Sequence, residues 1–273
     1  MNACFERTVT ARSEDEFLVV GDGSVSPHPC TITLAQAVPR PVLGTRVKVT
    51  EGTLEFGCGP SLSLEGMATF SPRLGVATVA PADQVGEALH EARRAARSLP
   101  YRGGLHDLFG LGLAQRTGAE GALWDCCYRE VSGARRALRR RDEDGLLAAC
   151  SRLAGLGLGL TPSGDDYVAG LAAALRFCGE STGVTCGQLA EAMAVAVAPN
   201  TTPYSAFLVG CASRGLVSRS VADWLGAVVG GRIEEVEAVT VEVSRTGHSS
   251  GVDVLAGLVD GVEASLTERT WSA

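Results

Sequence analysis

Lysine is nearly missing from this chain: Lys48 is the only one in 273 residues, and arginine carries the rest of the positive charge. The balance is acidic, with a formal net charge of −7. Such a chain does not draw nucleic acid through its overall field. With Lys48 far from any glycine-rich loop, a phosphate-cradling GxxxxGK[ST] loop is excluded. Aromatics make up only 5% of the residues, so the core must come from aliphatic packing. The nine cysteines include no CxxC pair, and the adjacent Cys126 and Cys127 point apart on a helical pattern. The triplet His28-Pro29-Cys30 is too little for a metal site. No apolar run free of charge, Gly and Pro reaches membrane-spanning length, so no membrane partner is expected. Residues 1–12 lack the apolar stretch of an export signal, which implies a cytoplasmic protein with reduced, mostly buried thiols.

What is present divides by period. Short apolar or β-branched runs at 17–20, 30–38, 46–56, 61–70 and 74–80 are separated by Gly, Ser and Pro turn signals and read as strands. From residue 81 the period becomes helical. Stripes run over 81–99, 119–140, 143–153, 165–178, 186–198, 204–214, 220–229 and 252–266. The expectation is an α+β chain: a small β-rich domain over 1–100, a sheet or barrel, then a mostly helical domain over 101–273. The arginine run at 135–141 closes a helix, where cations complement the dipole, and is neutralised by Asp142, Glu143 and Asp144. It reads as a solvated helix end.

Residues 155–166, GLGLGLTPSGDD, carry the most information. Alternating Gly and Leu suits neither helix nor strand, and the glycines permit positive φ and close backbone approach. With Ser163 as N-cap, Asp166 falls three residues on and can complete a capping box. Asp165 is then free to face a cleft as base, amide acceptor or cation ligand. A glycine-rich loop opening a helix also suits a small anion. The pattern S-G-x-D-x-x-A-G-L occurs twice, from Ser163 to Leu171 and from Ser250 to Leu258, and Thr201-Thr202-Pro203-Tyr204-Ser205 opens another helix. These loops are expected to converge on one cleft. His248 precedes the second copy in a polar, glycine-flanked loop, which favours a site role over His90 on a charged helix surface. His106, in a Gly-rich turn, is intermediate.

The runs GLGLGLTPSGDDYVAG, TTPYSAFLVGCASRG and GHSSGVDVLAG together resemble the AllH-type subunit family of oxamate carbamoyltransferase, with features in order from about residue 15 to 265. The sequence departs from the family at Leu158, where the family usually has Pro. The resemblance implies carbamoyl transfer among oxamate, oxalurate, carbamoyl phosphate and phosphate in allantoin and purine nitrogen breakdown, by a complex of several subunits. Asp165, Asp166 and His248 are then the candidate catalytic groups. Gly159, Thr161, Ser163, Gly164, Thr201, Thr202, Ser205, Ser249, Ser250, Gly251 and Asp253 are candidate binding residues for a small anionic substrate. No metal or cofactor is required. Two alternatives stay open: a non-catalytic scaffold or regulatory subunit that binds a small carboxylate, and a Mg²⁺-dependent phosphoryl-handling enzyme using Asp165 and Asp166.

Overall fold

The computed structural model describes residues 3–4, 7–13, 16–35, 42–50, 52–57, 59, 61–75, 78–110, 117–182 and 186–266. They form two compact units, Met1–Pro72 and Arg73–Ala273. The expected division near residue 100 had placed the first helix with the strands. That helix instead packs on helices near the C-terminus, within the second unit.

Among the described residues the first unit holds two small sheets and no barrel. One has the order β1(Ala3–Cys4), β2(Thr8–Ser13), β3(Glu16–Asp22), β4(Thr31–Leu34). Its first three strands are antiparallel, but β4 runs parallel to β3, with Val19 opposite Thr31 and Val20 opposite Ile32. The connection between them passes Pro27 and Pro29 and ends at Cys30, whose φ of 65° turns the chain. The other sheet is the meander β5(Val47–Thr50), β6(Thr53–Phe56), β7(Ser61–Ser63). Val9, Val20, Leu54 and Phe56 form the small core that both sheets share. The described residues of the run expected as a strand over 74–80 form no strand; the neighbouring Arg73 makes an isolated bridge to Leu216.

The second unit is helical: α1(Ala82–Ser98), α2(Gly118–Arg140), α3(Glu143–Leu153), α4(Ser163–Thr182), α5(Cys186–Val197), α6(Pro203–Ser213), α7(Arg219–Val229), α8(Ile233–Ser244) and α9(Ser250–Ser265), with short 3₁₀ turns at His106–Phe109 and Ala198–Asn200. Helix α4 is buried on most of its surface, from Tyr167 and Val168 through Leu175 and Phe177, by α9, α5 and α6, with Arg176 and Glu180 paired at its less buried side.

Small residues set the α4–α9 contact. A Cβ on Gly170 would fall 2.2 Å from the Val254 carbonyl oxygen, and one on Gly257 would fall 2.0 Å from that of Tyr167. In the S-G-x-D-x-x-A-G-L alignment Gly170 matches Gly257, and Tyr167 matches Val254. The two copies of the repeat therefore cross reciprocally, backbone against backbone.

Ionic pairs hold the neighbouring helices. Asp260 of α9 accepts from Arg135 Nε (2.7 Å) and from the Tyr167 hydroxyl (2.9 Å). Arg141 donates to the Ala264 carbonyl at 2.6 Å. The arginine run is thus not wholly a solvated helix end, since Arg135 and Arg141 tie α2 to α9. Cys127, Cys150, Cys178, Cys186 and Cys211 are buried. Burial pushes the Cys150 thiol up to about 12 and that of Cys178 to about 11, which keeps both protonated and inert.

Candidate functional site

The site forms where α4 and α9 begin. Residues 154–162 fold back over the start of α4. Gly157 adopts a φ of 132°, and a Cβ there would meet the Ser163 nitrogen at 2.3 Å, so only glycine fits. The Pro162 carbonyl accepts from the N–H groups of Asp165 (2.9 Å) and Asp166 (3.1 Å). Pro162 therefore stands at the cap, and Ser163 is already the first helical residue. The helix begins one residue earlier than expected, and the two aspartates exchange places.

Asp165, at the third helical position, turns back. Its Oδ1 accepts from Gly155 N–H (3.0 Å), and its Oδ2 accepts from the Thr201 hydroxyl. It is 1% exposed and latches the loop; it does not face a cleft. Burial raises its pKa above the usual carboxylate range, while the Thr201 hydroxyl, Gly155 N–H and Ser205 hydroxyl act in the opposite sense.

Asp166 lies one position further along, matched in the repeat by Asp253 of α9. The Thr161 and Ser250 hydroxyls meet at 3.0 Å, and both lie beside the Asp166 carboxylate. Burial raises the Asp166 pKa well above its ordinary value; the Asp253 charge adds to the rise, and the two hydroxyls oppose it. Asp253 is fully buried, and its Oδ1 accepts from Leu105 N–H at 2.6 Å. Gly104, with φ 62°, makes room: a Cβ there would fall 2.3 Å from that oxygen.

The third loop joins the other two. Thr202 caps α6, accepting from Ser205 N–H (3.1 Å), while its hydroxyl donates to the Leu160 carbonyl (3.1 Å). Thr161, Asp165, Asp166, Thr201, Thr202, Ser205, Ser250 and Asp253 thus form one connected cluster. Ser163 and Gly164 are packed beneath it, with Gly164 against the Leu153 carbonyl and Gly251 in the matching place against that of Val243. Ser249 caps α9 through its carbonyl, without a side-chain bond. Gly159 lies exposed beside Leu158, which is 66% exposed at the loop tip.

His248 is exposed on the turn before α9, and the structure gives it no bond to the carboxylates. His106 is buried and committed elsewhere. Its Nδ1 accepts from Arg102 N–H (3.4 Å), so its Nε2 donates to the Ala96 carbonyl (2.9 Å), and its ring stacks on Tyr101. The turn at Gly104 and Leu105 is a wall that the sequence reading missed. Asp107, which accepts from the Tyr128 hydroxyl at 2.9 Å, anchors this turn. The Gly103-Gly104 pair before His106 was the available signal.

Residues 153–262 match the family of the oxamate carbamoyltransferase subunit AllH. The AllH match takes in all three loops and every residue of the cluster except the wall at Gly104 and Leu105. It is narrower than the resemblance read from about residue 15 to 265. No solved structure matches the chain. Among the described residues no group of three or more His, Cys, Asp or Glu side chains is arranged to hold a metal ion, and no helix is long and apolar enough to cross a membrane.

The raised pKa of Asp166 predicts a pH effect of definite sign. A carboxyl whose folded-state pKa lies above its unfolded value contributes stability at low pH and loses it as pH rises through the folded pKa. Wild-type stability should therefore decline from the ordinary carboxylate range upward, by at most about 1.4 kcal/mol per pH unit for this one proton. Asp166→Asn keeps the shape and removes the titration, so its melting temperature should exceed wild type near and above neutrality and change less with pH. Melts from acid to mildly alkaline pH test this; a variant less stable than wild type at every pH would show that Asp166 is ionised in the fold.

Proposed function

We propose that this chain is a substrate-handling subunit of an oxamate carbamoyltransferase. The observation that carries the reading is that the AllH-matching segment contains three loops meeting at one polar cluster, built on the starts of two helices that cross without intervening side chains. The reaction moves a carbamoyl group between carbamoyl phosphate and the amide nitrogen of oxamate. The nitrogen attacks the carbamoyl carbon, the carbon–oxygen bond to phosphate breaks, phosphate leaves with the electron pair, and the nitrogen gives up a proton. In the reverse direction phosphate splits oxalurate. In this reading Thr161 and Ser250 donate to the substrate, and the carboxyl of Asp166 holds its amide.

A second reading, a non-catalytic subunit that binds the small ligand while a partner performs the transfer, is favoured by the exposure of His248, the one imidazole among the expected catalytic groups. Purification of the tagged chain from its native cells under non-denaturing conditions, followed by an assay with oxamate and carbamoyl phosphate, tests both. The expected result is a stable hetero-oligomer that forms oxalurate and phosphate. A lone chain with no partner and no transfer would sink both readings. Full transfer by the isolated monomer would sink the requirement for partners.

A further inference from the structure

Several of the backbone amides that make helix starts attractive to anions are already in use here. At α4, Gly164 N–H is bonded to the Leu156 carbonyl, and those of Asp165 and Asp166 to Pro162. At α9, Gly251 N–H is bonded to Thr246, and those of Val252 and Asp253 to Ser249. Much of the anion cradle expected from the glycine-rich loop is therefore filled from within the chain.

What the cluster offers instead is an acidic oxygen. Asp166 is 7% exposed, and its Oδ2 is buried with no hydrogen-bond partner among the described residues. The groups acting on it are the carboxylates of Asp253 on α9 and Asp165 on α4 and the hydroxyls of Ser250 and Thr161; no cation is among them. An ionised carboxylate so placed costs several kcal/mol, on the order of that for any unpaired buried charge, whereas the neutral acid offers a donor and acceptor capacity together. A ligand's phosphate or carboxylate end would meet the Asp253 charge. A primary amide, neutral, with a carbonyl acceptor beside N–H donors, is the complement.

We propose that Asp166 serves as a neutral carboxylic acid that recognises the primary amide end, –CO–NH₂, of a small ligand, and that Asp253 turns the ligand's anionic end outward toward Thr161 and Ser250. This rests on reading the chain as a carbamoyl-handling subunit, and it assigns Asp166 the selection of amide over carboxylate.

The test is calorimetric titration of the full-length chain with oxamate and, separately, with oxalate, which has the same size but a carboxylate in place of the amide. Oxamate should bind at least about tenfold more tightly. Asp166→Asn, neutral and of the same shape, should keep oxamate affinity within about threefold, while Asp166→Leu loses at least about tenfold. Wild-type affinity should fall as pH rises, and that of Asp166→Asn should not; this contrast holds even if the Leu variant fails to fold. Oxalate binding as tightly as oxamate would overturn the proposal. So would Mg²⁺ alone raising the melting temperature of wild type but not of Asp166→Asn, which would make the pair a cation site. If the purified complex carrying Asp166→Leu transfers carbamoyl groups at the wild-type rate, this inference fails and the subunit reading stands. If the wild-type complex transfers none while the lone wild-type chain still prefers oxamate, the subunit reading fails and this inference stands.

Discussion

Gly257→Ala is expected to destabilise the helical unit by about 2 kcal/mol or more, lowering its melting temperature by roughly 4–8 °C. Two effects oppose each other. Alanine gains about 1 kcal/mol over glycine inside a helix. Against this, the new Cβ would stand 2.0 Å from the Tyr167 carbonyl oxygen and 2.7 Å from the Leu171 nitrogen. Those are backbone atoms of a fully buried helix and cannot rotate aside, so overpacking reaches or passes the top of its usual range of about 1–3 kcal/mol. Gly170→Ala should behave alike, because its contact is the mirror of the first. The double variant should cost less than the sum, since helices already parted by one methyl leave room for the other. Gly86→Ala, in α1 with nothing within 4 Å of the added carbon, is the control and should hold or gain stability. Thermal or denaturant melts decide it; a neutral Gly257→Ala would mean that α4 and α9 are not in backbone contact.

Asp260→Leu is expected to cost about 3 kcal/mol. Removing one member of a buried ion pair costs about 3–5 kcal/mol. The lower end applies because the Arg135 side chain is 30% exposed and can turn to water. The Tyr167 hydroxyl, fully buried, has no such escape once its acceptor is gone. Adding Tyr167→Phe should therefore restore about 1 kcal/mol or more, by removing the stranded donor. Melts of the single and double variants measure this. No recovery in the double variant would place the loss on Arg135 or on packing instead.

Most of the helices could be read directly, because their apolar spacing matches the faces they bury. Helix α1 was expected over 81–99 and runs Ala82–Ser98, and α3 runs as expected. Helix α8 was not visible. Its sequence IEEVEAVTVEVS alternates valine with polar residues, and β-branched residues favour strands. Its buried Val236, Thr240 and Val243 keep helical spacing, and packing against α1 and α7 overrides the local preference. Strand β2 was missed because TVTARS is too polar to stand out, yet Val9 faces Val20 in the small core.

The residues that meet at the cluster were legible from the repeated S-G-x-D motif and the threonine pair, which are local patterns. The roles within it were not. Asp165 and Asp166 differ by one step of a helix, and only the placement of the cap at Pro162 decides which one turns back to Gly155. The Leu105 amide that reaches Asp253 lies 148 residues away in sequence, and no spacing rule connects them.

The reciprocal glycine crossing also decides where the second unit can yield. Helices joined main chain to main chain have no rotamers between them to rearrange, so α4 and α9 form a rigid floor, and the distance between the roots of Asp166 and Asp253 is set by peptide geometry. Compliance is left to the turns above that floor, where Gly157, Gly104 and Gly247 supply positive φ. On the proposed reading, a ligand would reach this site by opening the rim rather than by spreading the base, with entry set by the rim glycines and selectivity by the floor.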